Sequence, residues 1–245
     1  GPTSSAASDV YKRQVLACTL CRATTSAVRN VFEKLFERHG VPKMIQCDNG
    51  SPFISTRSRG GLSALSAWWI SLGIRIVRSR RACPQDNGAH ERMHADIAAE
   101  VEISPAANVE AQQRVIDKWR QEFNHVRPHQ ALSNKTPAEV YKPAERHRPS
   151  VIEYTYPERF ITRRVAPSSG HITFRMGVYF VSESLRGHTI ALETIDATHV
   201  RAWFHDVDLG VIDVEPEDAK LLVERHLPPR STGASNESKS ADQPW

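Results

Sequence analysis

The chain has 245 residues, of which 40% are hydrophobic and 24% charged, with a formal net charge of +4 at pH 7 and a sequence pI near 9.0. These values are typical of a soluble globular protein of one or two domains with a substantial buried core. They argue against a membrane protein, because no stretch approaches the roughly 20 apolar residues that a transmembrane helix needs. No secretory signal is visible. The mild basic excess is compatible with a polyanionic partner.

Four cysteines are few for this length and lie in apolar or strand-like surroundings: Cys18, Cys21, Cys47 and Cys83. They predict reduced thiols in a cytoplasmic protein. The spacing of Cys18 and Cys21 does not favour zinc, because positions i and i+3 of a strand face opposite sides and no second close pair completes four ligands.

The first fourteen residues differ from the rest of the chain. They begin with Gly rather than Met and run through small, polar residues. We therefore expect a non-native or disordered leader over residues 1–14, in a chain that is truncated or tagged at its start.

From Val15 onward, apolar runs of strand length alternate with apolar residues at helical spacing. In chain order these predict a strand over 15–21, a helix ending at Gly40, a strand over 44–47, a helix ending at Gly73 and a strand over 74–77. Two more helices follow, one from about Asn87 with Met93, Ile97 and Val101 buried, and one from Asn108 to His125 with Val115, Trp119 and Phe123 on its buried side. Strands alternating with helices predict an α/β domain with a mostly parallel or mixed sheet over residues 15–141.

The composition changes after this domain. Residues 142–150 have the prolines and charges of a linker. Six short strand-like segments separated by turn residues follow, which predicts a small all-β barrel over residues 151–227. Residues 228–245 are polar and without periodicity, and we expect them to be disordered.

Two carboxylates stand at positions suited to chemistry. Asp48 closes the strand over 44–47, and Glu91 lies just inside the helix from Asn87, away from its apolar stripe. Each also has an ordinary explanation, since Asp-Asn-Gly suits a tight turn and an acidic first turn suits the helix dipole. Taken together, they could meet at the carboxyl edge of the sheet and bind Mg²⁺, which prefers carboxylates and clamps phosphate oxygens.

Three segments in order, HGVPKMIQCDNGSPF, CPQDNGAHERMHADI and FNHVRPHQALSNKTPAEVY, resemble the catalytic core of insertion-sequence transposases of the DDE, or retroviral-integrase, superfamily. The later GHITFRMGVYFVSESLRGHTIALETI and DLGVID are similar to the small SH3-like C-terminal domain of these transposases. The resemblance implies an RNase H-like core, two Mg²⁺ or Mn²⁺ ions, and DNA cleavage followed by strand transfer. It also implies DNA (element ends and target) as partner, a homo-oligomer when complete, and a prokaryotic, nucleoid-associated location.

By this resemblance, Asp48 and Glu91 correspond to the second catalytic aspartate and the glutamate of the family, and both would bind metal. Asn87 and Gly88 match the turn into the glutamate helix, where the backbone can approach a DNA phosphate closely. The nearby arginines are candidate phosphate contacts: Arg78, Arg80, Arg81 and Arg92. Surface arginines are also very commonly just solvated.

The family's first aspartate lies on an earlier strand, and we find no counterpart in this chain. Asp9 is the only aspartate before Asp48, and it precedes the wrong strand. We therefore expect an incomplete core whose first strands are missing, and a chain inactive in strand transfer.

Two other readings remain open. The chain could be a non-catalytic, DNA-binding remnant of a transposase. More remotely, His90-Glu91-Arg92-Met93-His94 fits the HExxH pattern of zinc peptidases. The helix begins immediately before His90, however, and no third ligand follows, which disfavours proteolysis.

Overall fold

The computed structural model describes residues 3–8, 13–78, 88–147 and 154–216, with the backbone alone for residues 3–8, 89 and 90. Its α-helices are α1 (Thr25–His39), α2 (Ala64–Ser71), α3 (Gly88–Ile97), α4 (Val109–His125) and α5 (Pro137–Val140). Its strands are β1 (Thr3–Ser8), β2 (Val15–Cys21), β3 (Met44–Cys47), β4 (Arg75–Arg78), β5 (Ile161–Arg164), β6 (His171–Phe174), β7 (Gly177–Phe180), β8 (Thr189–Thr194), β9 (His199–Phe204) and β10 (Val207–Asp213).

Strands β1 and β2 form an antiparallel pair with Thr3 opposite Cys21. A non-native or disordered leader was expected over residues 1–14; residues 3–8 of this range form a strand, and the assignment of the range as a leader stays a prediction. Strand β2 offers these residues a row of backbone hydrogen-bonding groups, and the pairing satisfies groups of both strands, with a register shift between Ala7 and Ser8.

The other edge of β2 is covered by polar side chains of α4. Gln113 accepts a hydrogen bond from Leu20 N–H and donates one to the Cys18 carbonyl. The side chains of Arg120 and Asn124 reach the backbone of residues 15 and 16 in the same way. Helix α4 therefore satisfies backbone groups that a neighbouring strand would otherwise pair, and its apolar face packs on the same strand through Ile116 and Trp119.

Strands β3 and β4 are parallel, with Cys47 opposite Arg78 at their carboxyl ends. Helices α1 and α2 pack beside them around Trp69, which is fully buried against the rings of Phe32 and Phe53. Ser63 caps α2 by accepting a hydrogen bond from Ser66 N–H. In the described part of the chain β2 and β3 are not hydrogen-bonded neighbours, so the mixed sheet expected from the sequence is present as two separate pairs.

The six strands expected after the linker are all present. Four of them form an antiparallel sheet in the order β10, β9, β8, β5, and β6 with β7 forms a separate hairpin. Their shared core also contains Leu62, Ala67 and Ile70 of the α2 region. The C-terminal strands are thus packed directly onto the first half of the molecule, because α2 is apolar on nearly all sides.

One buried position differs from the sequence expectation in α4. Val115 was expected to be buried, but it is 42% exposed, and Ile116 is buried in its place at 2% exposure. Both spacings to Trp119 are helical, since positions three and four apart share a face. None of the helices in the described ranges has the length and apolar character needed to cross a bilayer.

Candidate functional site

Asp48 lies exposed at the carboxyl end of β3. Its Oδ1 accepts a hydrogen bond from the backbone N–H of Gly50 at 3.0 Å, which closes a local turn. The turn fixes the start of the loop after β3, and Oδ2 has no such backbone contact among those observed for the described residues. The aspartate is thus both a turn former and a solvent-facing carboxylate.

Glu91 lies in the first turn of α3 and is exposed. The helix is held by the buried side chains of Met93, Ile97 and Val101, which are at most 3% exposed. The predicted stripe is therefore confirmed, and Glu91 projects away from it. A carboxylate in the first helical turn also interacts favourably with the helix dipole.

Cys47 lies between two charged candidates at the end of the β3–β4 pair. The pKa of its thiol is raised to about 11, chiefly by burial, with the adjacent carboxylate of Asp48 adding to the shift and Arg78 opposing it. Both charges therefore act on one buried atom, which places Asp48 and Arg78 in the same electrostatic environment at the carboxyl edge of this strand pair. The thiol stays protonated at neutral pH and is a poor nucleophile or metal ligand.

Arg78 is anchored rather than free. Its Nη2 donates a hydrogen bond to the Gly60 carbonyl at 2.6 Å, and its guanidinium lies where a side chain on Gly61 would begin. Gly60 and Gly61 both have positive φ, at +63° and +67°, a conformation that favours glycine. The sequence did not reveal this contact, although the Gly-Gly pair marks the tight turn that makes it possible.

The other predicted contacts with DNA lie around the start of α3. Gly88 is exposed, and a Cβ added to it would meet no atom of the described residues within 4 Å. Arg92 is exposed and pairs with Asp96 at 3.3 Å. Asn87, Arg80 and Arg81 lie outside the described residues. Of the predicted set, the structure thus places Asp48 near Arg78, and Glu91 near Gly88 and Arg92.

Carboxylate oxygens of the kind that Asp48 and Glu91 present are hard donors that suit Mg²⁺ or Mn²⁺. Among the described residues, there is no group of three or more His, Cys, Asp or Glu side chains that could hold a metal ion. An ion held by two carboxylates would keep several waters, which Mg²⁺ does readily. For the zinc reading, the His90 side chain lies outside the described residues, and His94 is half-buried on α3.

The integrase core domain family matches residues 72–137, a range that contains Glu91 and runs from the end of α2 through the start of α5. Solved structures with similar backbones include the catalytic core domain of BIV integrase, at 22% identity and a TM-score of 0.42, covering 56% of this chain and 82% of that one. The HTLV-2 integrase catalytic core domain in complex with magnesium, in a trimeric form, has 16% identity and a TM-score of 0.41 over 57% and 92%. A chain of the simian T-cell lymphotropic virus intasome in complex with PP2A regulatory subunit B56 gamma has 14% identity and a TM-score of 0.45 over 86% and 77%.

The elements from β2 to α5 form a mixed α/β arrangement, and residues 72–137 of it match the integrase core domain family. This range includes the second of the three segments whose sequence resembles the DDE, or retroviral-integrase, superfamily.

Proposed function

We propose that this chain is the core and C-terminal segment of an insertion-sequence transposase, a protein that binds DNA and belongs to the machinery of metal-dependent strand cleavage and transfer. The observation that carries the proposal is the integrase-core match that contains Glu91, together with Asp48 at the carboxyl end of β3. The C-terminal strands would then be the SH3-like module of such a transposase.

Asp48 and Glu91 would hold the divalent ions. Bound Mg²⁺ or Mn²⁺ would supply Lewis-acid activation of the attacking oxygen and charge stabilisation at the leaving oxygen. Contacts within the chain hold the backbone in place at each of these two carboxylates. The Gly50 N–H fixes Asp48, and the buried stripe of α3 fixes the helix that carries Glu91.

DNA would be bound by the basic residues around the same edge. The Gly60 carbonyl orients the guanidinium of Arg78, which can therefore attract a phosphate without a large loss of side-chain entropy. The open backbone at Gly88 leaves room for a phosphate at the start of α3, where N–H groups point outward. Arg92, Asn87, Arg80 and Arg81 would add further contacts.

Strand transfer requires more metal ligands than DNA binding does. A two-ion centre of the superfamily uses three carboxylates, and the described residues contain no group of three or more His, Cys, Asp or Glu side chains that could hold a metal ion. We propose that the chain binds DNA in a salt-dependent manner and does not join DNA ends on its own. This leaves two versions of the function, a transposase core with a working metal site and a DNA-binding remnant without one.

A matched set of variants separates these versions. Glu91→Gln and Asp48→Asn remove the proposed ligands, and Glu110→Gln is the control because Glu110 occupies the first turn of α4 as Glu91 does that of α3. Mn²⁺ binding is measured by titration, and binding to duplex DNA by fluorescence anisotropy over a range of salt concentrations. DNA affinity should fall steeply with salt in every variant, because it depends on neutralised phosphates.

The metal-site version requires that Mn²⁺ binding is lost in Asp48→Asn and Glu91→Gln but kept in Glu110→Gln. If all three proteins bind Mn²⁺ alike and DNA binding persists, the remnant version is correct. Mg²⁺-dependent joining of DNA ends by the chain alone would overturn the proposed inactivity, and absence of salt-dependent DNA binding would overturn the proposed function.

A further inference from the structure

The hairpin of β6 and β7 carries an exposed apolar face. Met176, in its turn, is 58% exposed, and Val178 and Phe180 on β7 are 67% and 51% exposed. Val178 and Phe180 share one side of the strand, because side chains two apart point the same way. We call these three residues the hairpin face.

The hairpin is well packed on the side opposite the hairpin face. Tyr179, which points to the opposite side, packs against the core of the C-terminal strands. On β6, His171 lies opposite Phe180, and their rings meet edge to face at 5.1 Å. The hairpin is therefore a two-sided element with one side in the core and one apolar side in solvent. In the described residues, β7 pairs with β6 alone, so one edge of β7 is also open.

Contiguous exposed apolar side chains on an open edge strand usually mark a surface that another segment covers. The path of the chain points to which segment this is. The N–H of Glu215 donates a hydrogen bond to Tyr179 Oη at 2.7 Å, and the Glu215 carbonyl accepts one from Arg175 at 3.3 Å. Arg175 lies beside Met176 in the hairpin turn. The chain thus leaves its last strand, β10, next to the hairpin turn and on the side to which Tyr179 points, so the following residues would pass around the turn to reach the hairpin face.

The sequence after Glu215 contains an apolar segment that could cover the hairpin face. Residues 219–227 read AKLLVERHL, in which Leu221, Leu222 and Val223 form an apolar run bounded by charged residues. Leu221 is six residues after Glu215, and an extended chain of that length spans about 20 Å. The hairpin face from Met176 to Phe180 extends for about 13 Å at the usual rise per strand residue.

We propose that residues 219–227 dock in cis on the hairpin face, with Leu221, Leu222 and Val223 against Met176, Val178 and Phe180. A segment tethered a few residues away is present at an effective concentration in about the millimolar range, which favours it over a second copy or a separate partner. Docking on this face covers the open edge of β7 and limits edge-to-edge association. The proposal does not depend on the proposed function, because it uses neither the carboxylates nor DNA.

The test compares two triple variants of the full chain. L221S/L222S/V223S removes the apolar run, and K220S/E224S/R225S changes the neighbouring charged residues as a matched control. Hydrogen exchange of peptides that contain residues 171–181 is followed by mass spectrometry, together with the sedimentation of each protein. Exchange in these peptides should rise several-fold in the first variant and remain unchanged in the control.

A second pair of substitutions tests the other side of the contact. V178T/F180T should give the same rise, and combining it with L221S/L222S/V223S should add nothing, because both remove one contact. Three outcomes overturn the proposal. The first is unchanged exchange in L221S/L222S/V223S. The second is a wild-type dimer that V178T/F180T dissociates and L221S/L222S/V223S does not. The third is loss of duplex-DNA binding in V178T/F180T alone.

Discussion

The guanidinium of Arg127, two residues after the end of α4, and the carboxylate of Glu100, in the helical turn that follows α3, meet in a two-point ion pair. Arg127 Nη1 donates to Glu100 Oε1 at 2.6 Å, and Nη2 donates to Oε2. Glu100 lies in a π-helical segment, Ala98–Glu102, which continues the helix that carries Glu91. The pair therefore fixes the far end of that helix, about 13 Å along its axis from Glu91.

Glu100→Gln should destabilise the protein at neutral pH by about 0.5–1 kcal/mol, since the pair is partly solvated and salt screens it. Hydrogen bonding to Arg127 holds the pKa of Glu100 below its ordinary value of 4.5. A depressed carboxyl pKa contributes stability that is present above the unfolded value and is lost as pH falls through the folded one. Urea unfolding should therefore show a difference between Glu100→Gln and wild type that shrinks below pH 4.5.

The control for this prediction is Glu110→Gln, which removes an exposed carboxylate in the first turn of α4. It shows the effect of losing one exposed carboxylate other than the partner of Arg127. A Glu100→Gln protein whose deficit stays constant down to low pH would show that the ion pair does not produce the effect.

Asn124→Ala should destabilise the protein by about 2 kcal/mol, because it leaves two buried backbone groups without partners. Asn124 is 3% exposed, and its amide accepts from Val15 N–H and donates to the Val15 carbonyl, each at 2.9 Å. Chemical denaturation and exchange of the Val15 amide measure the effect. Gln121→Ala, an exposed change on the same helix, should cost far less. A deficit within about 0.5 kcal/mol of wild type would contradict the assigned role.

Most helices and strands could be predicted from the sequence because the spacing of their apolar residues matches the period of the structure that they form. The strand over 15–21 and the buried stripe of Met93, Ile97 and Val101 were predicted correctly from period alone. The burial of Ile116, where Val115 was expected to be buried, shows the limit of hydrophobic periodicity. Spacings of three and four residues are both helical, and only the position of β2 decides between them.

Contacts between distant segments could not be predicted in this way. Asn124 and Val15 are 109 residues apart, and Arg127 and Glu100 are 27 apart. No local pattern pairs them, since each contact exists only after the elements have packed. For the site, the sequence placed Asp48 at a strand end and Glu91 in a first helical turn, as the structure has them. The anchoring of Arg78 by Gly60 depends on loop geometry that a single sequence does not specify.

His205 should make the protein less stable as the pH falls from about 6.5 to about 4. Burial lowers the pKa of its imidazole to about 4, against 6.5 ordinarily, with Asp206 opposing the shift and His188 adding to it. The ring stacks on Tyr154 at 4.1 Å between centroids. In this pH window the unfolded chain binds a proton that the folded protein does not, so stability must rise with pH across it.

His205→Asn tests this prediction. Residue 205 has a φ of +52°, which Asn tolerates better than most residues, and its N–H bond to Tyr156 Oη at 2.9 Å can persist. The free energy of unfolding is measured at several pH values between 4 and 6.5 for both proteins. The variant should be less stable near neutral pH, where the Tyr154 stack is lost, and its stability should fall less steeply with acid. Parallel pH profiles would contradict the assignment.

Gly88→Ala should separate folding from DNA binding at the start of α3. An added Cβ would meet no atom within 4 Å in the part of the chain that the structure describes, and Ala has the higher helix propensity, so the variant should be as stable as wild type or slightly more stable. If a DNA phosphate approaches the backbone there, the same methyl group lies in its way, and affinity should drop several-fold at constant salt. Thermal unfolding and fluorescence anisotropy measure the two effects on one protein. Unchanged affinity in a stable Gly88→Ala protein would show that Gly88 does not contact DNA. The arginines would then provide the binding, because charges act over longer distances than a backbone contact does.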